Sequence, residues 1–480
     1  APAVYVHRCA VRPPHPPSTC LRRLSPHSLF IMKPISLCLL LLAGSAFGQP
    51  AASTSKKTTS TKPTVLPEVV VTGTRLPEGV PLSAQSIDLD AAKARGTDGA
   101  SMLANTPGAA ILRNGPQTGI VQLHGLSGDR VKISIDGATI TPACPNHMDP
   151  PLHYASRGSM DTLAVMAGIT PVSQGGDSIA GTVIVRSPDP RFATAEEQSI
   201  ASAQMGSHFR SSNDGYGFSL KGSAASTGFA ASYQGSWERA NDLRFPGGRV
   251  HATGFETMQH QILAAMRLGA GVLTVDTSYV RTRDSGTPTL PMDMIEDEGY
   301  RLGLRYTATH DFGTVEARAY MHSIDHLMNN YSLRPLLPGS MPMESPATSR
   351  DYGYSLGVSL PSGAHTLRLG TDFHRNEFDA YQRNMVTGAL QDTLHEATRT
   401  RFGAYAEWQA DWSKRWTSLI GVRNDTVVSD AANVTRFFPA AAADAAAFNA
   451  RDHRFTDVNF DFTASTRFTP NDWSAYELAF

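Results

Sequence analysis

The sequence predicts a transmembrane antiparallel β-barrel preceded by a small α/β domain. Three observations predict it. From about residue 195 onward, strands recur in which apolar and polar side chains alternate, the pattern of a strand with one face on lipid and the other on a lumen. The connections between them alternate between tight turns and long loops, after a first pair of short ones. The mean hydropathy is −0.23, and no run of about 20 apolar residues occurs beyond the N-terminus. That excludes a polytopic helical membrane protein but suits alternating strands.

The chain has 480 residues, 42 basic and 43 acidic, with a formal net charge of −1. Such a balance offers no basic face, so nucleic acid is not an expected partner. Residues 1–31 are rich in Pro, Arg and His without periodicity and read as a non-native upstream extension or a linker. Met32 is the expected start. Lys33 gives a positive n-region, Ile35 to Leu42 a short apolar core, and Ala46-Phe47-Gly48 a small-x-small cleavage site. Residues 32–48 therefore predict a secretory signal peptide. A flexible polar linker follows over 49–66. The β-branched run from Pro67 to Arg75 (PEVVVTGTR) stands alone. It either pairs with the edge of another sheet or forms the first strand of the next domain.

Residues 76–192 read as one small α/β domain. Ala100 to Thr106 has a helical pattern ended by Pro107-Gly108. Ile120–Leu123 and Val131–Ile135 are strands, the second closed by the turn dipeptide Asp136-Gly137. Gly175-Gly176 leads into a last strand over 179–185. Residues 193–480 form an incomplete barrel. Thirteen strands are expected, near 197–208, 214–224, 228–239, 256–268, 271–282, 299–309, 312–324, 351–360, 365–376, 399–410, 415–427, 457–468 and 471–480. In one of them Tyr300, Leu302, Leu304 and Tyr306 share a face opposite Arg301, Gly303, Arg305 and Thr307. The long loops are 240–255, 283–298, 325–350, 377–398 and 428–456. A soluble β-sandwich is the alternative, but it has no need of this division of faces in strand after strand. Bacterial single-chain barrels are even-stranded, and a plugged lumen belongs to barrels of about 22 strands. Thirteen strands therefore predict a C-terminal truncation.

This order resembles the TonB-dependent outer-membrane receptors, over residues 68–480. Val69 to Arg75 is similar to the region of the family's TonB box. The stretch from Met102 through Pro107-Gly108 to Gly115, then Gln122 to Arg130, Ile135-Asp136-Gly137, Gly168 to Val172 and Ile179 to Val183, is similar to the family's plug. His124 and Ala167 depart from it, each standing where Arg is usual. The resemblance implies energised import across a Gram-negative outer membrane, with barrel strands in contact with lipid. It also implies that the inner-membrane TonB complex pairs with Glu68, Val69, Val70, Val71 and Thr72. No enzyme is implied, and no triad, phosphate loop or paired-carboxylate site stands in a credible context.

Cys9, Cys20 and Cys38 fall upstream or in the signal, which leaves Cys144 as the one cysteine of the exported chain. Alone, it is a buried apolar residue, a reactive thiol or a metal ligand. It lies in the proline-stiffened stretch Pro142 to Pro151, with Met148 four residues on. With 15 Met in 480 residues, that spacing arises by composition about 3% of the time. Thiolate and thioether are soft ligands that select copper, above all Cu(I). His322, His326 and Met328 open the 325–350 loop, and strand parity from Glu316 and Arg318 points them inward if the strand extends that far.

Cys-x-x-x-Met in the plug with His-x-Met in the barrel resembles the copper-binding OprC and NosA group of these receptors. That implies one copper site bridging plug and barrel, made by Cys144, Met148, His326 and Met328. Met292 with Met294, and Met341 with Met343, are pairs two residues apart in external loops that either relay copper or pack the loops. His147 and His153 are nearer accessory candidates. Two other functions fit the same family outline. One is a receptor for an organic metal chelate such as a siderophore or cobalamin, which needs an aromatic, Arg-lined pocket. The other is a structural or adhesive outer-membrane protein.

Overall fold

The computed structural model describes residues 84–89, 96–176, 178–471 and 474–480. The upstream extension, the signal peptide, the linker and the 68–75 segment lie outside the described residues.

Among the described residues the plug's first strand is β1 (Ala84–Ser86). Strands β2 (Ala109–Arg113), β3 (Gly119–Leu123) and β4 (Leu126–Ser127) form a small antiparallel sheet. Strands β5 (Val131–Ile135), β6 (Ala138–Thr139), β7 (Thr162–Ala167) and β8 (Gly181–Arg186) join β1 in a five-stranded sheet of order β1-β7-β8-β5-β6. Within it β5 and β8 run parallel. Asp136 and Gly137 both have positive φ, 52° and 83°, the geometry of a tight hairpin turn between β5 and β6. β7 escaped the sequence reading because almost every residue in it is buried, so it lacks the alternation that marks a half-exposed strand. The expected helix at 100–106 is one 3-10 turn, Ala100–Leu103. Between residues 96 and 186 the plug's described helices are all such turns.

The barrel sheet contains β9 (Ser199–Arg210), β10 (Gly215–Ser226), β11 (Phe229–Ala240), β14 (Phe255–Leu268), β15 (Gly271–Ser285), β16 (Asp293–His310) and β17 (Gly313–Asn329). It continues with β18 (Met343–Ser362), β19 (His365–Asn384), β20 (Leu390–Ser413), β21 (Trp416–Asp430), β22 (Phe455–Asn471) and β23 (Ser474–Ala479). These are the thirteen strands expected, each antiparallel to the next. β9 and β23 are the edges of an open sheet. The short strands β12 (Leu243–Phe245) and β13 (Gly248–Val250) make a separate hairpin in the first long loop.

Three long loops prove to be partly ladder. β16 to β20 run past their expected ends and take up much of 283–298, 325–350 and 377–398. Beyond the lipid a strand's outer face has no need to be apolar, so the alternation fades while backbone pairing continues. The last loop holds α1 (Pro439–Asn449), an alanine-rich helix with Pro in its first turn. Its propensity is high, but it has no apolar stripe for a pattern reading to find. Ile262, Leu302, Leu304, Leu356 and Val422 stay exposed on the outer face, while Arg301, Arg401 and Arg423 are buried on the inner one. The rings of Tyr233, His260, Tyr279 and Tyr300 stand side by side across four neighbouring strands, as in an aromatic girdle.

The plug and the barrel sheet share one core. Tyr154 and Ala155 of the plug cluster with Val280 of β15 and Ile324 of β17. Polar contacts join them lower down. Arg301 donates to Ile135 O at 3.0 Å and to Asp136 Oδ2 at 2.8 Å. Ser173 Oγ donates to Glu407 Oε1 at 2.9 Å.

Candidate metal centre

The loop after β6 reverses at Cys144–His147, where His147 N donates to Cys144 O at 2.9 Å and His147 adopts φ of 52°. Asp149 gathers the loop. Its Oδ2 accepts from Ala143 N at 2.7 Å and its Oδ1 from Cys144 N at 2.9 Å. Folded this way, the loop buries both Cys144 and Met148, at 2% and 0% exposure.

β17 supplies the facing side. It runs to Asn329, so the parity argument applies as far as Met328. His326 and Met328 are both buried, while Asp325 between the inward positions is exposed. Cys144 Sγ lies 3.9 Å from Met328 Sδ. Met294 on β16 is the cross-strand partner of Met328. Cys144, Met148, Met294 and Met328 form one buried cluster, with Leu290 and Met292 packed against it.

Met294 is thus more central than a loop position suggested. β16 starts at Asp293, within the stretch expected to be loop, and a bulge lies between Met294 and Glu296. Inward parity from Arg301 through Gly299 and Asp297 would continue to Ile295 and turn Met294 out. One extra residue in the strand turns it in.

Asp297, which sequence reasoning missed, is the cross-strand partner of His326. His326 Nδ1 lies 3.0 Å from its Oδ1. An Nδ1–H donated to a carboxylate leaves the lone pair on Nε2, the arrangement that orients a metal-binding histidine. Nε2 is buried and makes no hydrogen bond of ordinary geometry, with the Cys144 thiol beside it. A buried polar atom with no partner costs stability unless something else satisfies it, and a cation beside the thiol would do so.

A second layer of polar groups holds these in place. The Tyr154 hydroxyl lies 2.8 Å from Asp149 Oδ2 and 3.0 Å from Asp297 Oδ1. His153 Nε2 is 3.3 Å from Asp297 Oδ2, and its Nδ1 is 3.2 Å from Gln117 O. Burial raises the Asp149 carboxyl above its usual range, helped by the charge of Asp297 and opposed by that of His326. Burial opposes charge on His153, but Asp297 and Asp149 hold that imidazole above its ordinary value.

The other sequence candidates lie elsewhere. His322 is buried against the Tyr154 ring, with centroids 5.0 Å apart, and its Nδ1 is 3.9 Å from Asp351. His374 bonds the same carboxylate at 3.0 Å. His147 is half-buried and stands outside the sulfur cluster. Met341 is 46% exposed and accepts from Asn384 Nδ2 at 2.9 Å, and Met343 is half-buried at the start of β18; neither joins the cluster.

Known proteins share this architecture. The family model "TonB dependent receptor-like, beta-barrel" matches residues 217–477, and "TonB-dependent Receptor Plug Domain" matches residues 77–182. Among solved structures the chain is similar to "Copper transporter OprC", with 22% identity and a TM-score of 0.70 over 82% of this chain and 62% of that one. It is similar to the FrpB iron transporter of Neisseria meningitidis, F3-3 variant, with 12% identity and a TM-score of 0.59 over 83% and 63%. It is also similar to a double mutant of the Serratia marcescens hemophore receptor HasR bound to its hemophore HasA and heme, with 13% identity and a TM-score of 0.63 over 81% and 61%. At these identities the likeness is one of fold, and the chain spans less than two thirds of each. No curated protein sequence matches it.

Proposed function

We propose that this chain, which belongs to the TonB-dependent receptors, binds copper between plug and barrel and imports it across the Gram-negative outer membrane. The carrying observation is the convergence of Cys144, Met148, Met294 and Met328 in one buried cluster beside His326, whose Nε2 has no hydrogen-bond partner. Cys144 supplies a thiolate, Met148 and Met328 supply thioethers, and His326 Nε2 supplies the nitrogen. Met294, opposite Met328, stands as a further thioether. This soft donor set favours Cu(I).

The ligands come from two bodies. Cys144 and Met148 belong to the plug, and the rest belong to β16 and β17. Any movement of the plug away from those strands removes the thiolate and one thioether together, and so releases the ion. The pull would come from TonB, pairing with Glu68 to Thr72. The copper reading also fits the closure of the pocket. Its sulfur side chains are no more than 2% exposed, which suits a bare ion better than an organic chelate.

The test is copper content. The receptor is recovered from outer membranes after growth with copper, beside Cys144→Ser and Met148→Ala. About one tightly held copper per protein is expected by the ligand count, lost in Cys144→Ser and reduced in Met148→Ala. Copper that is unchanged in both variants would remove the proposal.

A further inference from the structure

Next to the sulfur cluster lies a second, chemically different set of donors. Asp149, Asp297 and His326 each bring a ligand atom within 4.8 Å of the others, and all three are buried. Metal–ligand bonds of about 2.0–2.2 Å place ligand atoms about 3–4 Å apart, so small side-chain shifts would close this set on an ion. Two further facts point to a cation there. Tyr154 has one proton to give, yet its oxygen lies within hydrogen-bond distance of both carboxylates. The second contact sets a carboxylate oxygen against the phenol's lone pairs, a repulsion that a bound cation would relieve. In addition, Asp297 Oδ2 is buried without a hydrogen bond, with the His153 ring as its neighbour at 3.3 Å.

We infer that Asp149, Asp297 and His326 form a second metal position, made of oxygen and nitrogen, that takes a borderline divalent ion such as Zn(II) or Cu(II). Carboxylate and imidazole suit these ions as thiolate and thioether suit Cu(I). The inference rests on the copper reading for what the neighbouring sulfur set does, but not for its own donors.

The two positions share one ring. For the sulfur set, His326 keeps Nδ1–H on Asp297 and offers the Nε2 lone pair. For the oxygen set, it offers Nδ1 and turns Nε2–H toward the Cys144 sulfur. A neutral imidazole has one lone pair, so the two modes exclude each other. The tautomer of one histidine then decides whether the pocket is soft or borderline. Copper in an oxidising medium arrives as Cu(II), and this mode would admit it without prior reduction.

The experiment titrates the purified receptor with Zn(II) and, separately, with Ag(I) as a redox-inert soft probe. In the wild type both bind with a stoichiometry of about one, and Ag(I) displaces Zn(II) because His326 is shared. Cys144→Ser loses Ag(I) but keeps Zn(II) within about threefold. Asp297→Asn loses at least tenfold in Zn(II) affinity and still binds Ag(I), which also shows that the variant is folded. Asp149→Asn is the second variant should Asp297→Asn bind neither probe, and it is expected to weaken Zn(II) at least tenfold. The inference is overturned if Zn(II) does not bind the wild type, if Cys144→Ser loses both probes, or if neither carboxylate variant weakens Zn(II). Failure of the copper reading looks different: Ag(I) binding would then be indifferent to Cys144→Ser.

Discussion

The plug meets the barrel in two different ways at two heights. Nearer the short turns the contact is ionic. Arg301 reaches Asp136 of the plug at 2.8 Å and Asp276 of β15 at 2.9 Å, with a further bond to Ile135 O. Glu407 accepts from the Ser173 hydroxyl at 2.9 Å. Burial disfavours charge on Asp136, yet Arg301 and the Ser187 donors hold its carboxyl below the usual range. Nearer the outer strand ends a sulfur cluster joins the contacts of Tyr154 and His153 with Asp297, and His326 Nε2 has no hydrogen-bond partner. The lower contact is finished by the chain itself. If the cluster holds copper, the cargo finishes the upper one, and loading changes how tightly the plug is fastened there.

Four measurements test that contrast. The largest effect is expected from Arg301→Leu, which strands Asp136 and Asp276. Removing one partner of a buried pair costs about 3–5 kcal/mol. Thermal unfolding of the receptor should show it while copper affinity stays within about threefold; a parallel loss of copper binding would mean that the two heights are one unit. Next, copper at about 100 times its Kd should stabilise the receptor by about 2.7 kcal/mol. That gain should vanish in Cys144→Ser, and an equal gain in both would place the ion elsewhere. Met328→Leu conserves volume and deletes one thioether. Its copper affinity should fall about tenfold, or about 1.4 kcal/mol, and unchanged affinity would make Met328 a packing residue. The smallest effect belongs to Met341→Leu. Outside the cluster, it should alter affinity by less than about threefold, or about 0.7 kcal/mol; a larger loss would point to a relay.

How much of this was legible from sequence differs along each strand. Within the lipid-facing span the alternation is enforced by two solvents, and Tyr300, Leu302 and Leu304 announce their face without help. His326 and Met328 could be placed because β17 keeps that rhythm to its end. Cys144 and Met148 were visible through a rare spacing of soft residues in a proline-rich loop. Asp297 was not visible. Nothing in its own neighbourhood marks it, and its role depends on pairing with His326 across a ladder that extends beyond the apolar pattern. Asp149 sat in plain view in the Cys144 loop, but a carboxylate that accepts two backbone N–H groups is indistinguishable from any surface aspartate until the loop is folded.

The bulge at Met294 has a consequence for how such a pocket can change over generations. A strand's alternation is a wave of period two, and one inserted residue shifts its phase by half a cycle. In β16 the shift falls above Tyr300, so everything facing lipid keeps its phase while the pocket end is inverted. Loss of one residue there would rotate a thioether out of the binding cluster with no side chain chemically altered, and a gain elsewhere could rotate another in. If the cluster holds a metal, its preference can therefore drift through insertions and deletions, a class of change that a comparison of aligned residue identities does not register.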